Sequence, residues 1–311
     1  MNKFKGFLFG MTASSTFGLL PLFTLPIMSE GLTTNSILCY RMLFASVLVA
    51  VLMQVRKIAF RVNLRELLWF AFLGFFYYGS ASLLFQAYGT MSSGMATTLH
   101  FLYPVGVTLI MALVFKQRPS PFTILAIILG LSGVALLSLK EGGGSSSASL
   151  VGILLVLLSG FSYAAYLVTM NNVRRVRESN NLKLTLYVLI FSALFFLLDT
   201  SLSGGLQMIP SGRALTNLLL LAFLPTLVSN LALVRAVKSI GSTLTSVLGA
   251  MEPLTAIVIG VVVFGEEVTG PMALGILLIL LSVTIIVLSP LLDKNIADRL
   301  RRLSKRPIRR Q

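Results

Sequence analysis

Acidic side chains are scarce in this chain: ten Asp and Glu stand against 25 Lys and Arg in 311 residues. Charge of either sign amounts to 11% of the sequence, whereas an ordinary soluble domain is about a quarter charged. There is one cysteine, Cys39, which excludes an intramolecular disulfide and a thiolate metal cluster and reads as a packing residue. There is one histidine, His100. No paired metal-ligand spacing and no phosphate-cradling glycine loop occurs, so neither metal nor cofactor is expected.

What is abundant is apolar sequence, 56% of the chain. Runs of about 18 or more apolar residues read as membrane-spanning helices. Ten such runs lie at roughly 6–28, 34–55, 67–88, 94–115, 121–139, 150–171, 183–201, 214–236, 243–264 and 271–291. The first follows Lys3 and Lys5 as a signal sequence would, but it continues to Met28, beyond a usual signal core, and reads as a permanent first helix. The formal charge of +15 raises the question of nucleic acid, and its placement answers against it. Nearly all basic residues fall in alternate loops and in the tail "DKNIADRLRRLSKRPIRRQ". That bias places both termini in the cytoplasm, with the tail at 293–311 against anionic headgroups.

A Gly/Ser connector at 141–149 divides the chain into residues 1–140 and 150–292, five spans each. "AYGTMSSGMATTLHFLYPVGVTLIMALVF" (Ala87–Phe115) aligns without a gap on "AVKSIGSTLTSVLGAMEPLTAIVIGVVVF" (Ala236–Phe264). Ala87/Ala236, Leu99/Leu248 and Phe115/Phe264 coincide, and so do the mid-span prolines Pro104 and Pro253. The first spans align through Gly6 and Gly152. An odd number of spans per repeat turns the halves upside down relative to each other, an architecture of secondary transporters with a midplane site. The expected fold is therefore all-α and polytopic, ten transmembrane helices as two inverted five-helix repeats.

Three titratable groups stand out inside the spans: Arg41, His100 and Glu252. An ionisable residue at mid-membrane is costly and faces a partner or a wet cavity. Glu252 shares a helical stripe with Ser242, Thr245 and Gly249, and its neighbour Pro253 frees a carbonyl one turn back. Such a carboxylate suits a proton, a cation or a substrate amine; the competing reading is a protonated acid that joins helices. His100 lies one turn before Pro104, and Tyr103 stands at the position equivalent to Glu252. His100 suits a proton relay or simple packing, and Arg41 suits an anionic substrate group or a structural partner. Further candidates are Tyr77, Tyr78 and Gln86 in the third span, Phe161 and Tyr163 in the sixth, Ser229 and Asn230 in the eighth, and Ser14 and Ser15 in the first.

Together these features resemble the drug/metabolite transporter superfamily, in particular its EamA-type members. The likeness covers residues 4–291 and rests on the two five-span repeats, the early arginine in "CYRMLFASVLVA", and the block "LGAMEPLTAIVIGVVVFGEEVTGPMALGILLILLSVTIIVLS". It departs at "FKQRPS", where the family commonly carries an acidic turn after the fourth span; the second half keeps Glu266 and Glu267. The resemblance implies a cytoplasmic-membrane carrier, usually an exporter of amino acids or related metabolites, with a cavity lined by spans 1, 3, 4, 6, 8 and 9. The expected function is secondary transport of a small polar metabolite by alternating access, with a small-molecule cargo and the bilayer as partners and the oligomeric state open. A nucleotide-linked sugar or lipid-linked intermediate is the alternative cargo. An intramembrane enzyme pairing a serine of "GSAS" (Gly79–Ser82) with His100 lacks an orienting third group, and a channel would need a ring of selectivity groups.

Overall fold

A bilayer offers no water to backbone groups, so a span must satisfy its own N–H and C=O groups, and a helix does so within one segment. The computed structural model describes residues 3–87, 90, 96, 99–117, 119–138, 150–264, 270–271, 273–286 and 288. The connector at 141–149, Glu266 and Glu267, and the tail at 293–311 lie outside the described residues. Among the described residues there are helices and no strand.

The first span is α1 (Lys3–Phe17) and α2 (Leu20–Ser29). The second and third are α3 (Thr34–Val55) and α4 (Leu64–Ala87). The fourth contains α5 (Tyr103–Leu113), and the fifth is α6 (Pro121–Ser138). The sixth is α7 (Leu150–Asn172), followed by the short basic α8 (Arg174–Glu178), and the seventh is α9 (Asn181–Leu202). The eighth joins α10 (Gly212–Ala222), a π-helical segment (Phe223–Val228) and α11 (Ser229–Ile240). The ninth is α12 (Ser242–Leu248) and α13 (Met251–Phe264), and the tenth is α14 (Ala273–Ile286). Six stretches are long and apolar enough to cross a membrane unaided: Lys3–Ser29, Thr34–Val55, Leu64–Ala87, Leu150–Asn172, Asn181–Leu202 and Gly212–Ile240. In the fourth and ninth spans a new helix begins at Tyr103 and at Met251, placing Pro104 at the second helical position and Pro253 at the third, both in the first turn. A proline there needs no N–H partner, whereas mid-helix it would break the ladder.

Helix packing carries the two-fold relation between the halves. The first span packs on the eighth as the third packs on the sixth, and the second packs on the seventh. Likewise the fourth meets the sixth as the ninth meets the first. Individual contacts recur as well. Ser229 Oγ donates to the Ala13 carbonyl at 3.0 Å, and Ser159 Oγ donates to the Ser80 carbonyl at 2.6 Å. In the register that pairs Ala87 with Ala236 and Gly6 with Gly152, Ser80 is the counterpart of Ser229 and Ala13 that of Ser159. The same pair of positions meets in both halves, with the donor on the eighth span in one contact and on the sixth, the counterpart of the first, in the other.

At the ends of α3 and α9 the bond itself repeats, donor for donor. Tyr40 and Tyr187 stand equally far from the helix caps Thr33 and Asn180, and so do Phe60 and Gln207. Tyr40 Oη donates to the Gln207 carbonyl at 2.7 Å, and Tyr187 Oη donates to the Phe60 carbonyl at 2.6 Å. The start of α3 thus meets the chain leaving α9, and the start of α9 meets the chain leaving α3, so the two helices run antiparallel. The twin ties therefore sit on opposite faces of the membrane, and the axis relating them lies in its plane. Tyr40→Phe and Tyr187→Phe are each expected to cost about 0.5–1 kcal/mol, the lower part of the range for one hydrogen bond. Being far apart, the two losses should add. Thermal unfolding in detergent checks this, and a double variant no weaker than either single would contradict it.

Candidate functional site

In the middle of the bundle the spans bring together a polar and aromatic cluster. It begins with Arg41, near the start of α3 and only 3% exposed. Its Nε donates to Thr226 Oγ1 at 2.7 Å, and its guanidinium stands 5.5 Å from the centre of the Phe17 ring. Its Nη2 is buried without a hydrogen-bond partner. An unsatisfied buried donor costs about 1–3 kcal/mol, and more when charged.

Thr226 can serve Arg41 because the helix changes register around it. Pro225 supplies no N–H, and the segment Phe223–Val228 widens to π-helical spacing. Thr226 Oγ1 hands its own proton to the Leu221 carbonyl at 2.8 Å, which leaves its lone pairs for the guanidinium. Asn230, buried on α11, donates to the Thr226 carbonyl at 2.8 Å and to Tyr77 Oη at 3.1 Å. Short π-helical insertions of this kind are frequent at functional sites.

From Tyr77 an aromatic column runs across spans three, six and four. Tyr77 meets Tyr166 at 5.4 Å between ring centres, Tyr166 meets Tyr163 at 6.0 Å, and Tyr163 meets Tyr103 edge-on at 4.8 Å. His100 closes the column, 5.6 Å from Tyr103 and 6.0 Å from Tyr163. Its Nδ1 lies 3.1 Å from Ser159 Oγ.

Glu252 enters from the ninth span, in the first turn of α13. The break at Gly249 and Ala250 matters here, because a helix N-terminus favours negative charge. The Glu252 side chain is half-buried and makes no hydrogen bond among the described residues. It lies within electrostatic reach of Arg41, Tyr103 and Tyr163, yet no ion pair closes between it and Arg41. Among the described residues the ion pair that does form is Arg174–Glu178, on the surface. Tyr103 reaches the ninth span too: a β-carbon at Gly249 would collide with its hydroxyl. Gly249 holds the position that His100 holds in the first half.

Arg41, His100, Tyr103, Tyr163, Asn230 and Glu252 are thus assembled, and Ser15 lies half-buried on α1 nearby in sequence to Phe17. Three candidates stand elsewhere, and one of them, Gln86, is exposed and donates to Ser82 Oγ at 3.1 Å. Tyr78 packs on Phe195 and Phe196 of α9, at 5.7 and 4.7 Å, one helical step away from the Tyr77 that joins the column. Phe161 is 55% exposed, on the outward stripe it shares with Leu154, Leu157 and Leu158. Tyr166, Ser159 and Thr226 join the cluster without having been singled out in the sequence. The "LPT" at Leu224–Thr226 was the available signal for the last, since a proline followed by a hydroxyl can rearrange a helix ladder. Among the described residues no group of three His, Cys, Asp or Glu side chains could hold a metal ion. A pocket of about 290 Å³ opens between the ends of α3 and α9, lined by Thr33, Thr200, Ser203 and Gln207 among others. It contains none of the charged groups above.

Fold and cluster define an all-α polytopic membrane protein, two inverted five-span halves around a polar midplane. The EamA-like transporter family matches the chain twice, over residues 4–139 and again over 150–288; the chain belongs to that family. It is similar to the uncharacterized inner membrane transporter YicL of Salmonella typhimurium, 28% identical over 197 residues, 63% of this chain and 65% of that protein. It is also similar to the uncharacterized transporter YdfC of Bacillus subtilis, 26% identical over 249 residues and 79% of each. A solved crystal structure at 20% identity superposes with a TM-score of 0.78 over 94% of this chain and 98% of that one, a likeness of fold.

Proposed function

We propose that this transporter is a secondary-active carrier of a small polar metabolite, such as an amino acid or derivative, working by alternating access. The observation that supports the reading is a pair of opposite groups left unjoined: Arg41 Nη2, buried with no partner, and the Glu252 carboxyl, partly open at a helix start. A cargo bearing an anionic group for Arg41 and an amine for Glu252 would satisfy both at once, and the tyrosine column would line its path. Glu252 then binds the cargo amine or carries the coupling proton. The moving units are residues 1–140 and 150–292, joined by the connector at 141–149. Both termini face the cytoplasm and flow is outward across a bacterial cytoplasmic membrane. A phosphorylated cargo such as a nucleotide-linked sugar has less support, because Arg41 is the one cation in the cluster among the described residues.

The test is flux. A thermal-shift screen over amino acids, polyamines and sugar nucleotides identifies a cargo, which is then loaded into vesicles holding the purified protein. Glu252→Gln keeps the shape and removes the charge; it is expected to lower flux about tenfold, the worth of roughly 1.4 kcal/mol, and to flatten its dependence on pH. Unchanged flux at two pH values would assign Glu252 to packing.

A further inference from the structure

His100 and Ser159 form a pair whose proton can be located by elimination. Ser159 is fully buried, and its hydroxyl carries one hydrogen. That hydrogen points at the Ser80 carbonyl, 2.6 Å away, and a carbonyl can only accept. The same two positions meet in the other half, where the counterpart of Ser80, Ser229, is the donor to the Ala13 carbonyl, so the close approach belongs to the helix packing and would exist without a histidine. Toward His100 Nδ1, at 3.1 Å, Ser159 therefore has lone pairs alone to offer. The imidazole must donate from Nδ1, and a neutral ring with its proton on Nδ1 leaves Nε2 bare.

Nε2 has no hydrogen-bond partner among the described residues, nor is it among the buried polar atoms left unsatisfied. His100 is only partly buried, with Tyr103 and Tyr163 beside it. The free lone pair is thus left open beside Tyr103 and Tyr163, two rings of the polar cluster. We propose that Ser159 is a positioning residue that fixes His100 in the Nδ1–H form, making Nε2 a hydrogen-bond acceptor for an N–H or O–H group of the cargo. The proposal rests on the transport reading for the cargo but not for the tautomer. Geometry also explains why Ser159 itself is no nucleophile: its proton is given to the backbone, away from the imidazole that would have to take it.

With one histidine in the chain, nitrogen-15 labelling of histidine gives a single imidazole, free of overlap. The full-length protein in lipid nanodiscs is expected to show a protonated Nδ1 and a bare Nε2. Ser159→Ala should release the ring to the Nε2–H form, and Ser159→Thr, which keeps the hydroxyl, should restore the parent spectrum. Methylammonium, which donates hydrogen bonds, should shift the Nε2 resonance; tetramethylammonium at the same concentration, which cannot donate, should leave it in place. A parent spectrum with the proton on Nε2 overturns the proposal directly, even if Ser159→Ala fails to fold. Equal response to the two cations, or response to neither, overturns the acceptor role. Neither measurement involves flux, so unchanged flux in Glu252→Gln would remove Glu252 from the proposed cargo site and leave the tautomer standing.

Discussion

Arg41→Met in reconstituted vesicles is expected to lower cargo flux about a hundredfold while the protein still inserts and unfolds cooperatively. Hydrogen bonds to a charged group are worth about 1.5–3 kcal/mol, and a hundredfold corresponds to about 2.7 kcal/mol. Methionine keeps much of the length and fits an apolar surrounding, so the loss is of the guanidinium and not of volume. Stability should change little or rise, because the variant removes a buried charge with an unsatisfied Nη2. Arg41→Lys separates charge from geometry. An ammonium has no planar fork, so it cannot hold Thr226 Oγ1 and a second group in the same way, and its flux should fall between parent and methionine. Arg41→Met with parental flux would show that the orphan donor serves only the fold, and the proposed anion subsite would be lost with it.

Gly249→Ala should be among the most destabilising single changes in the ninth span, at about 3 kcal/mol, the upper end of what an overpacked core costs. The added carbon would occupy the place of the Tyr103 hydroxyl. Tyr103 has little freedom to yield, since its ring is held between Phe101 at 5.7 Å and Tyr163 at 4.8 Å. Tyr103→Phe deletes the oxygen and should recover about half of the loss, the ring edge still being close. The four proteins form a double-mutant cycle read by thermal unfolding in detergent. If the two changes simply add, the hydroxyl does not rest on Gly249 and the contact between spans four and nine is drawn wrongly.

The sequence carries the architecture because two separate signals agree on it: the lengths of the apolar runs and the ungapped match around Pro104 and Pro253. It also singles out Arg41, His100 and Glu252, since a titratable residue in an apolar run is conspicuous whatever its surroundings. Which way a side chain points is a different matter. Tyr77 and Tyr78 are neighbours of equal chemistry, and a turn of about 100° sends one to Asn230 and the other to Phe196. Phe161 lies on a stripe of leucines that only the packing of α7 on α4 and α5 turns outward. Thr226 and Ser159 are small hydroxyls of a kind scattered through every span. Their parts follow from the π-helical step beside Pro225 and from the approach of α7 to α4, and neither is written in local composition. The three sites where a span is interrupted differ in legibility for the same reason. Pro104 and Pro253 announce theirs, whereas the break at Gly18 and Leu19 depends on the close contact of Gly18 with the Glu252 backbone and Thr255.

The matched ties of Tyr40 and Tyr187 have a bearing on direction. Under the alternating access proposed above, a frame fastened by the same bond at either end takes equal effort to tilt toward one compartment or the other. Whatever makes the carrier prefer one resting pose must then come from places where the halves disagree. Within the polar cluster those include histidine against glycine at 100 and 249, phenol against acid at 103 and 252, tyrosine against threonine at 77 and 226, and an arginine at 41 against valine at 188, the corresponding point of α9. Exchanging residues across these pairs, and leaving the frame alone, is the route by which the preferred pose would be reversed.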